Sequence, residues 1–292
     1  MNTIKILLFG KGWIGSQLES IFHSKAGVTI RLATSRANHK RDIVNEMDEY
    51  KPTHVVSCIG RTHGEIDGRE IPTIDYLEYD GKLLDNVRDN LYAPVLLAHL
   101  CKERNTHYTY LGTGCIFEYD AEHQDSGFKE TDEPNFFGSS YSIVKGFTDQ
   151  LMSLYQNTLN VRIRMPITAA VNDRDFITKI VRYEKICSMA NSMTVLDELL
   201  PVMADMIITG RTGTIQLTNP GTISHEEILE MYREIVDPEK TWTTMTYEEQ
   251  SRLLKSKRSN NYLDTSLLRE WYPDVSDIKT AIRRTLETRK SL

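Results

Sequence analysis

The stretch IKILLFGKGWIG, residues 4–15, decides the fold of this chain. Its first half, Ile4–Phe9, is largely apolar and β-prone, and the glycine-containing GKGWIG follows it without a linker. Further on, Ile14, Leu18 and Phe22 fall at the spacing that places side chains on one face of a helix. A strand, a turn of the form GxGxxG and an amphipathic helix, in that order, predict the start of a nucleotide-binding fold.

The glycines of this turn have separate physical roles in a dinucleotide site. Gly10 permits the tight turn, Gly12 lets the backbone approach a pyrophosphate, and Gly15 allows the helix to pack closely on the strand. The positive end of the helix dipole then faces the anion. The predicted cofactor-binding residues of this region are Gly10, Gly12, Trp13, Ile14 and Gly15, together with Gly60 after a later strand.

The segment LATSRANHKR, residues 32–41, indicates which dinucleotide is preferred. An NAD-preferring site carries an acid about 20 residues beyond the glycines, where it binds the ribose hydroxyl. This chain has Ser35 and Arg36 there instead. Because an arginine can hold a 2′-phosphate in a charge-assisted fork, the sequence favours NADPH over NADH. The alternative is that Arg36 is an ordinary solvated loop arginine.

Short β-prone runs alternate with helical patterns through the first half of the chain. This rhythm predicts an α/β fold with a Rossmann-like, doubly wound parallel sheet. Ligands of such sheets bind beyond the carboxyl ends of the strands. The predicted strands are residues 4–9, 28–33, 54–59, 107–111, 161–165 and 214–217. Helical spacing recurs at Leu84, Val87, Leu91 and Val95, and at Phe147, Leu151 and Leu154.

The βα rhythm breaks after Pro166, and most of the later segments show helical patterns. These helices suit a smaller lobe that closes over the edge of the sheet. We therefore predict two packed units, a nucleotide-binding domain of residues 1–165 and 195–220 and a mostly helical C-terminal substrate-binding lobe of residues 166–194 and 221–292.

The composition excludes several classes of protein. The chain of 292 residues carries a formal net charge of −6 with acids and bases interspersed, which argues against nucleic acid as a partner. It has no run of about 18 apolar residues and no signal-peptide pattern, so we expect a cytoplasmic protein that does not bind a membrane. Four scattered cysteines, without CxxC pairs or histidines at ligand spacing, predict reduced thiols and no metal site.

The stretch LGTGCIFEYD, residues 111–120, carries a hydroxyl and a thiol two residues apart at a predicted strand end. If the strand continues through Gly114, the side chains of Thr113 and Cys115 project to the same face. The alternative is that Cys115 is a small buried core residue, as most free cysteines are. These residues alone leave both interpretations open.

A second motif is YSIVK, residues 141–145, which opens a predicted helix. Residues four apart share a helix face, so the phenol of Tyr141 and the ammonium of Lys145 can converge on one point. A nearby cation lowers the pKa of a phenol, which predicts that Tyr141 acts as an acid near neutral pH. The motif also occurs by chance on solvated helix faces, so its weight comes from its position after the glycine-rich turn and Thr113.

Together, the glycine-rich turn, Thr113, Tyr141 and Lys145 resemble the extended short-chain dehydrogenase/reductase superfamily. NLYAPVLLA, residues 90–98, resembles its 4-dehydrorhamnose reductase branch. Other segments, in order from about residue 4 to about residue 270, resemble the bifunctional nucleotide-rhamnose synthase, or epimerase-reductase, family known from plants. These segments are GKGWIG, TGCIFEYD, RMPI, FITKI, RYEK, TNPG, SHEEILEMYR and RSNNYLD.

The resemblance implies a two-stage conversion of a nucleotide-bound 4-keto-6-deoxyglucose to the L-rhamnose nucleotide. The stereocentres at C3 and C5 invert first, and NADPH then reduces the C4 ketone. Protons on carbons beside a ketone are acidic, and removal of one leaves an enolate whose charge lies on O4. Tyr141 and Thr113, aimed at O4, would stabilise this charge before Tyr141 protonates the oxygen during reduction.

The resemblance also implies roles for individual residues. Carried over by position, the epimerase acid and base fall on Cys115 and Lys179, with Lys185 as a rival to Lys179. A UDP-sugar substrate, a homodimer and a separate 4,6-dehydratase that supplies the substrate are further implications. The implied substrate-binding residues are Asn90, Arg164, Asn191, Met193, Thr194, Asn219 and Arg258, and an arginine suits a diphosphate.

Two alternative functions stay open. One is a dTDP- or UDP-4-dehydrorhamnose reductase without epimerase activity, against which Cys115 argues because reduction needs no thiol there. The other is a catalytically silent, NADP-binding regulatory subunit, against which the complete set of Thr113, Tyr141 and Lys145 argues. The sequence does not distinguish UDP from dTDP, although the plant resemblance favours UDP. Residues 61–84 depart from the plant pattern, and we expect His63 on the surface of that loop.

Overall fold

The structure, a computed structural model, describes residues 3–292 and is built around one parallel sheet. The strands are β1 (Ile4–Phe9), β2 (Val28–Leu32), β3 (His54–Ser57), β4 (Gly64–Ile66), β5 (Arg69–Ile71), β6 (His107–Thr113), β7 (Thr158–Ile163), β8 (Pro166–Ile167), β9 (Lys185–Cys187), β10 (Thr194–Val195), β11 (Gly213–Gln216) and β12 (Thr243–Met245). Six of them form the central sheet in the order β11-β7-β6-β3-β1-β2. Each neighbouring pair in this sheet is parallel.

The central sheet is doubly wound, which confirms the predicted fold class. From β1 the chain moves to β2 at one edge, and it then returns to place β3, β6, β7 and β11 successively on the other side of β1. Leu7 and Leu8 of β1 are both fully buried, so both faces of the sheet are covered. This explains the continuous apolar run in the sequence. The strand order reverses between β1 and β3, where sheets of this kind bind ligands.

Helices cover both faces of this sheet. The helices of the described residues are α1 (Trp13–His23), α2 (Lys40–Tyr50), α3 (Lys82–Val87), α4 (Ala93–Glu103), α5 (Ser140–Met152), α6 (Phe176–Ile180), α7 (Leu196–Ile208), α8 (His225–Ile235), α9 (Tyr247–Leu253), α10 (Ser266–Trp271) and α11 (Ile278–Ser291). On one face Leu18 of α1 and Met203 of α7 pack with Leu8 of the sheet. On the other face Leu97 of α4 packs with Leu7. None of the helices within residues 3–292 is long and apolar enough to span a membrane.

A further apolar core lies outside the sheet, in the C-terminal part of the chain. Ile177 of α6, Ile228 of α8 and Ile282 of α11 are buried together there. Leu268 of α10 instead belongs to the core on the sheet, so residues 221–292 contribute to both cores. The predicted division into a nucleotide-binding domain and a substrate-binding lobe stays a prediction, and the second core supports it.

Some elements differ from those that the sequence predicts. The helical spacing over residues 84–95 corresponds to α3 and α4, which are joined by a π-helical turn, Arg88–Tyr92. The sequence predicts no element in residues 61–83. The structure has an antiparallel hairpin of β4 and β5 there, followed by a 3₁₀-helical turn, Ile74–Glu78. The helix α5 forms but ends at Met152, before Leu154. Phe147 is 55% exposed because α5 buries another face, and Leu154 is 68% exposed.

Candidate active site

A cavity of about 870 Å³ opens at the carboxyl ends of β1, β3 and β6. Gly12 and Gly60 line it on the side of the sheet, and Arg258 lines it on the side of the C-terminal part. Its volume lies within the usual range of small-molecule sites. The structure brings the five predicted catalytic residues together in its lining: Thr113, Cys115, Tyr141, Lys145 and Lys179.

The glycine-rich turn has the geometry that the sequence predicts. Gly10 has a φ of 97°, in the region that favours glycine. A Cβ on Gly15 would lie 2.0 Å from the carbonyl oxygen of Gly10, so only glycine lets α1 approach the turn this closely. A Cβ on Gly12 would meet no heavy atom within 4 Å, which leaves open space beside the first turn of α1. Trp13 and Ile14 line the cavity at the same place.

The loop after β2 carries Ser35 and Arg36 and is ordered by Glu46 of α2. The carboxylate of Glu46 accepts hydrogen bonds from the amides of Thr34 and Ser35 at 2.8 and 2.9 Å. Burial tends to raise the pKa of Glu46, but hydrogen bonds from Ser35 and Thr34 outweigh it and lower the pKa. The side chain of Arg36 is exposed beside this loop, outside the lining of the main cavity.

The side chain of Asn90 holds the loop after β3 in place through hydrogen bonds to its backbone. This side chain is fully buried in the π-helical turn, where Oδ1 accepts from the amide of Arg61 and Nδ2 donates to the carbonyl of Arg61, both at 2.9 Å. Asn90 itself does not line the cavity, whereas the neighbouring Gly60 does. The contacts of Asn90 in the structure therefore position a cavity loop.

Thr113 and Cys115 both line the cavity, but strand alternation is not the reason. The strand β6 ends at Thr113, and the amide of Cys115 donates to the hydroxyl oxygen of Thr113 at 3.0 Å. This short turn brings both side chains to the cavity. Cys115 contacts the apolar cluster around Tyr141, but it is only half-buried and lines the cavity, so it is not a fully enclosed core residue.

Tyr141 and Lys145 lie one turn apart at the start of α5, as the YSIVK motif predicts. Ser139 caps this helix, because its hydroxyl oxygen accepts from the amide of Ser142 at 3.1 Å. Both Tyr141 and Lys145 are buried. The ammonium of Lys145 donates to the phenol oxygen of Tyr110 at 2.5 Å.

The pKa of Tyr141 shifts in the direction opposite to the expectation from the sequence. Burial, followed by the charge of Cys115, raises the pKa of Tyr141 well above its usual value, and hydrogen bonding to Thr113 only partly offsets the rise. Burial lowers the pKa of Lys145 to about 7. The expectation that a cation lowers the pKa of Tyr141 is therefore wrong for the protein alone, because burial dominates both groups.

Lys179 lies on α6, which begins after the capping residue Asp175. Its side chain is half-buried in the lining of the cavity. Burial lowers the pKa of Lys179, and the positive charge of Arg174 lowers it further. Lys185, its rival, also lines the cavity but is exposed on β9.

Among the predicted substrate-binding residues, Arg258 lines the cavity and the others lie outside its lining. Arg164 is buried and donates to Oδ1 of Asn191 at 2.8 Å. Thr194 accepts from the amide of Arg164 at 3.0 Å, and Asn219 accepts from the amide of Val195 at 2.9 Å. The residues that the structure does not bring to the lining are Asn90, Arg164, Asn191, Met193, Thr194 and Asn219. A direct substrate contact for any of them stays a prediction.

Two residues that line the cavity, His63 and Arg174, were not identified as site residues from the sequence. His63, expected on a loop surface, lines the cavity together with Arg174. The terminal nitrogens Nη1 and Nη2 of Arg174 lie 2.5 Å from Nδ1 and Nε2 of His63, respectively. Burial and the charge of Arg174 lower the pKa of His63 to about 4, so its imidazole is neutral near pH 7. The pair is separated by 111 residues and belongs to no recognisable motif, so only the fold reveals it.

Comparison with known proteins identifies the family, although no protein-family model matches the chain. Protein L780 of Acanthamoeba polyphaga mimivirus is 52% identical over 293 residues, covering 98% of this chain and 99% of L780. The crystal structure of L780, described as a UDP-rhamnose synthase, matches 98% of this chain and 100% of that chain with a TM-score of 0.93. A bifunctional dTDP-4-dehydrorhamnose 3,5-epimerase/dTDP-4-dehydrorhamnose reductase of Arabidopsis thaliana is 40% identical over 286 residues, covering 96% of this chain and 92% of the plant protein. The chain belongs to this epimerase-reductase family.

The fold of the epimerase-reductase family extends to more distant proteins. A dTDP-4-dehydrorhamnose reductase from Clostridium acetobutylicum matches 97% of this chain and 99% of that chain, with a TM-score of 0.78 at 18% identity. At this level of identity the likeness shows the fold alone. The resemblance to the epimerase-reductase family that the sequence motifs indicate is thus confirmed by relatives that match nearly the whole chain.

Proposed function

We propose that this protein converts UDP-4-keto-6-deoxy-D-glucose to UDP-L-rhamnose by 3,5-epimerisation followed by NADPH-dependent reduction at C4. The observation that carries the proposal is the convergence of Thr113, Cys115, Tyr141, Lys145 and Lys179 on one cavity. A reductase alone has no use for the thiol and the second amine in this place. Relatives named as a UDP-rhamnose synthase and as a bifunctional epimerase-reductase support the same assignment.

The dinucleotide fits the glycine-rich side of the cavity. The open space beside Gly12 and the first turn of α1 suits a pyrophosphate, and the exposed Arg36 suits a 2′-phosphate. When bound, NADPH supplies the hydride that reduces C4. The residues that would hold it are Gly10, Gly12, Trp13, Ile14, Gly15, Ser35, Arg36, Gly60, Tyr141 and Lys145.

Epimerisation in this site needs one group on each side of the sugar ring. The neutral amine of Lys179 takes the proton from the carbon beside the ketone, and the electron pair moves to O4. The thiol of Cys115 then returns a proton to the opposite face. Proton transfer through solvent from the ammonium to the thiolate restores the pair for the second inversion. The lowered pKa of Lys179 supports its role as the base in preference to the exposed Lys185.

Thr113 and Tyr141 serve both reactions. Their hydroxyl groups donate to O4 while negative charge develops on it, first in the enolate and then during reduction. Tyr141 gives its proton to O4 as the hydride arrives at C4. A high pKa in the protein alone keeps Tyr141 in the protonated, donating form. Lys145, one turn away, supplies the replacement proton.

The second class of function is a silent subunit that binds NADP without turnover. One incubation with UDP-4-keto-6-deoxyglucose and NADPH separates the candidates. The bifunctional enzyme yields UDP-rhamnose, a reductase alone yields a reduced sugar without inversion at C3 and C5, and a silent subunit yields no product. The same incubation with the dTDP sugar compares the two nucleotides.

We further propose that the protein is a homodimer. Leu84 of α3, Tyr92 of the π-helical turn and Phe147 of α5 are exposed apolar residues on helices that contact one another. Leu154, directly after α5, is 68% exposed as well. A second copy of the chain that covers these helices would remove this apolar surface from water. Homodimers are also the usual state in the superfamily that the sequence resembles.

The substrate implies a further dependence on another enzyme. A 4-keto-6-deoxy sugar arises from a nucleotide hexose by removal of a hydride from C4, loss of water across C5 and C6, and return of the hydride to C6 with a proton to C5. This is a 4,6-dehydratase reaction. We propose that a separate 4,6-dehydratase supplies the substrate and that the protein works in the cytoplasm, where nucleotide sugars are made. Substrate formation from UDP-glucose only when such a dehydratase is added would test this dependence.

A further inference from the structure

Residues 64–78, which we call the roof, cover the catalytic end of the cavity. The roof consists of β4, β5 and the 3₁₀-helical turn Ile74–Glu78. Its apolar side chains form one cluster with the catalytic Tyr141 and Cys115: Ile66, Ile71, Ile74, Tyr76 and Leu77. A Cβ on Gly64 would lie 2.5 Å from the ring of Tyr76, so the hairpin packs tightly on its own helical turn. The roof therefore limits the access of water to both catalytic side chains.

The last residues of the roof are attached to the helix that carries Tyr141. Oε1 of Glu78 accepts from the amide of Ser140 at 2.8 Å, and the hydroxyl of Ser140 donates to the carbonyl of Leu77 at 3.2 Å. Ser140 is the first residue of α5 and directly precedes Tyr141. A carboxylate is also favoured near the positive end of a helix dipole. The position of the roof and that of Tyr141 are thus linked.

The same 3₁₀-helical turn of the roof is attached to the C-terminal part of the chain through Asp75. Its carboxylate accepts from the amide and the hydroxyl of Ser256, both at 2.9 Å, and from Nη2 of Arg258 at 2.6 Å. Burial tends to raise the pKa of Asp75, but these hydrogen bonds, that of Arg258 above all, hold it at about 2. The carboxylate is therefore charged throughout the neutral pH range.

Arg258 faces the roof and the cavity at once. Nη1 donates to the carbonyl of Ser256 at 2.9 Å and Nη2 donates to Asp75, while the side chain lines the cavity. A guanidinium has five N–H donors, more than these contacts use. A diphosphate is the part of the substrate that such donors fit best. One side chain thus stands between the proposed diphosphate position and the roof.

We infer that Asp75 is a positioning residue that couples diphosphate binding at Arg258 to closure of the roof, and thereby keeps the 4-keto intermediate enclosed between inversion and reduction. This inference rests on the proposed function. The nucleotide does not react, so its binding free energy is available to hold the roof over the sugar. A site that performs two reactions in succession needs such a closure, because an intermediate that escapes is not reduced.

The first test replaces the charge of Asp75 while keeping its shape. In Asp75→Asn we expect the share of turnovers that release the 4-keto-L-rhamnose nucleotide to rise about tenfold, since a hydrogen bond between charged groups is lost. The affinity for NADPH should not change. Glu70→Gln is the matched control, because Glu70 is an exposed carboxylate of the same hairpin. An unchanged release of the intermediate by folded Asp75→Asn would overturn the inference.

A double-mutant cycle tests whether Asp75 acts through Arg258. If it does, Asp75→Asn adds little to the release of intermediate in an Arg258→Gln background, because the coupling is already broken. Fully additive effects of the two substitutions at saturating substrate would show that Asp75 acts by another route. This outcome would overturn the proposed coupling even if both single variants release intermediate.

Hydrogen exchange in the wild-type protein tests the coupling between diphosphate binding and the roof without any substitution. Hydrogen exchange of the amides in residues 64–78 is followed in the NADPH complex with saturating UDP or saturating uridine. We expect UDP to slow exchange about tenfold relative to uridine, because only UDP carries the diphosphate that engages Arg258. Equal exchange with both ligands would overturn the inference and leave the proposed function intact. If UDP does not bind, the proposed function itself fails.

Discussion

The amide of Cys115 donates to the hydroxyl oxygen of Thr113 at 3.0 Å, directly where β6 ends. A hydroxyl has one donor and two acceptor positions, so the amide of Cys115 occupies an acceptor position of Thr113 and does not compete for its proton. The same turn brings the thiol into contact with the cluster that contains Tyr141. A donor to O4 and a proton-transfer group for a neighbouring carbon are thereby held within three consecutive residues.

Cys115→Ala should abolish rhamnose formation and leave NADPH binding intact. We expect solvent deuterium exchange at C3 and C5, measured without NADPH, to fall by about 10²–10⁴, the usual contribution of a positioned acid or base. Cys101→Ala is the matched control, because Cys101 is a buried thiol of α4 outside the lining of the cavity. Normal rhamnose output from Cys115→Ala would contradict the role of the thiol.

Tyr141→Phe should slow reduction by about 10²–10⁴, because the proton donor to O4 is lost while the ring still packs against the roof. The measurement is the single-turnover rate of NADPH oxidation with a substrate already inverted at C3 and C5, which isolates the second reaction. Deuterium exchange should also slow, since the same hydroxyl stabilises the enolate. A reduction rate equal to that of the wild type would refute the assignment of Tyr141.

Arg174→Gln should shift the pH dependence of epimerisation. Burial lowers the pKa of Lys179 and the charge of Arg174 lowers it further, so removal of that charge raises the pKa. Because the base is the neutral amine, the rising limb of deuterium exchange moves to higher pH and the rate at pH 7 falls. Arg269→Gln, at an exposed position of α10, is the control. A pH profile that does not move would contradict a role for Arg174 near Lys179.

Arg36→Ala should weaken NADPH binding without affecting NADH. Loss of a charge-assisted contact with the 2′-phosphate predicts a KM for NADPH that rises about 10- to 100-fold, because such contacts contribute about 1.5–3 kcal/mol. Arg41→Ala is a suitable control, since the side chain of Arg41 is 91% exposed on the adjacent α2. An equal loss of affinity for NADPH and NADH would mean that Arg36 does not bind the 2′-phosphate.

Phe147→Glu should dissociate the proposed dimer. The substitution places a charge in the apolar patch of α3 and α5, where burial against a second copy would become unfavourable. Sedimentation should show a monomer at concentrations at which the wild type is a dimer. Ser20→Glu, on the exposed side of α1, should remain dimeric. A wild-type protein that sediments as a monomer would refute the dimer itself.

Much of the fold follows from local patterns in the sequence. The apolar run of β1, the glycine-rich turn and the amphipathic α1 reappear in the structure with the predicted bounds of β1 unchanged. Local chemistry suffices here, because a strand buried on both faces needs a continuous apolar run and Gly15 is imposed by a backbone approach within a few residues. The motifs also sufficed to indicate the family.

The arrangement of the site could be predicted less well than the fold, because it depends on contacts between segments that are distant in the sequence. Asp75 and Arg258 are 183 residues apart, and His63 and Arg174 are 111 apart, so no local spacing indicates either pair. The pKa of Tyr141 moved opposite to the expectation because burial, a property of the packed fold, exceeded the effect of its spacing from Lys145 on the helix.

The sequence by itself thus determined the glycine-rich turn, the six strands of the central sheet in their order along the chain and the motifs that indicate the family, since each depends on residues close together in the chain. Only the tertiary structure decided which face of α5 is buried, that Arg164 and Asn219 are buried outside the lining of the cavity, and that residues 64–78 pack against Tyr141 and Cys115. The physical reason is that burial and charge pairing depend on what packs against a residue, and this packing comes from remote parts of the chain.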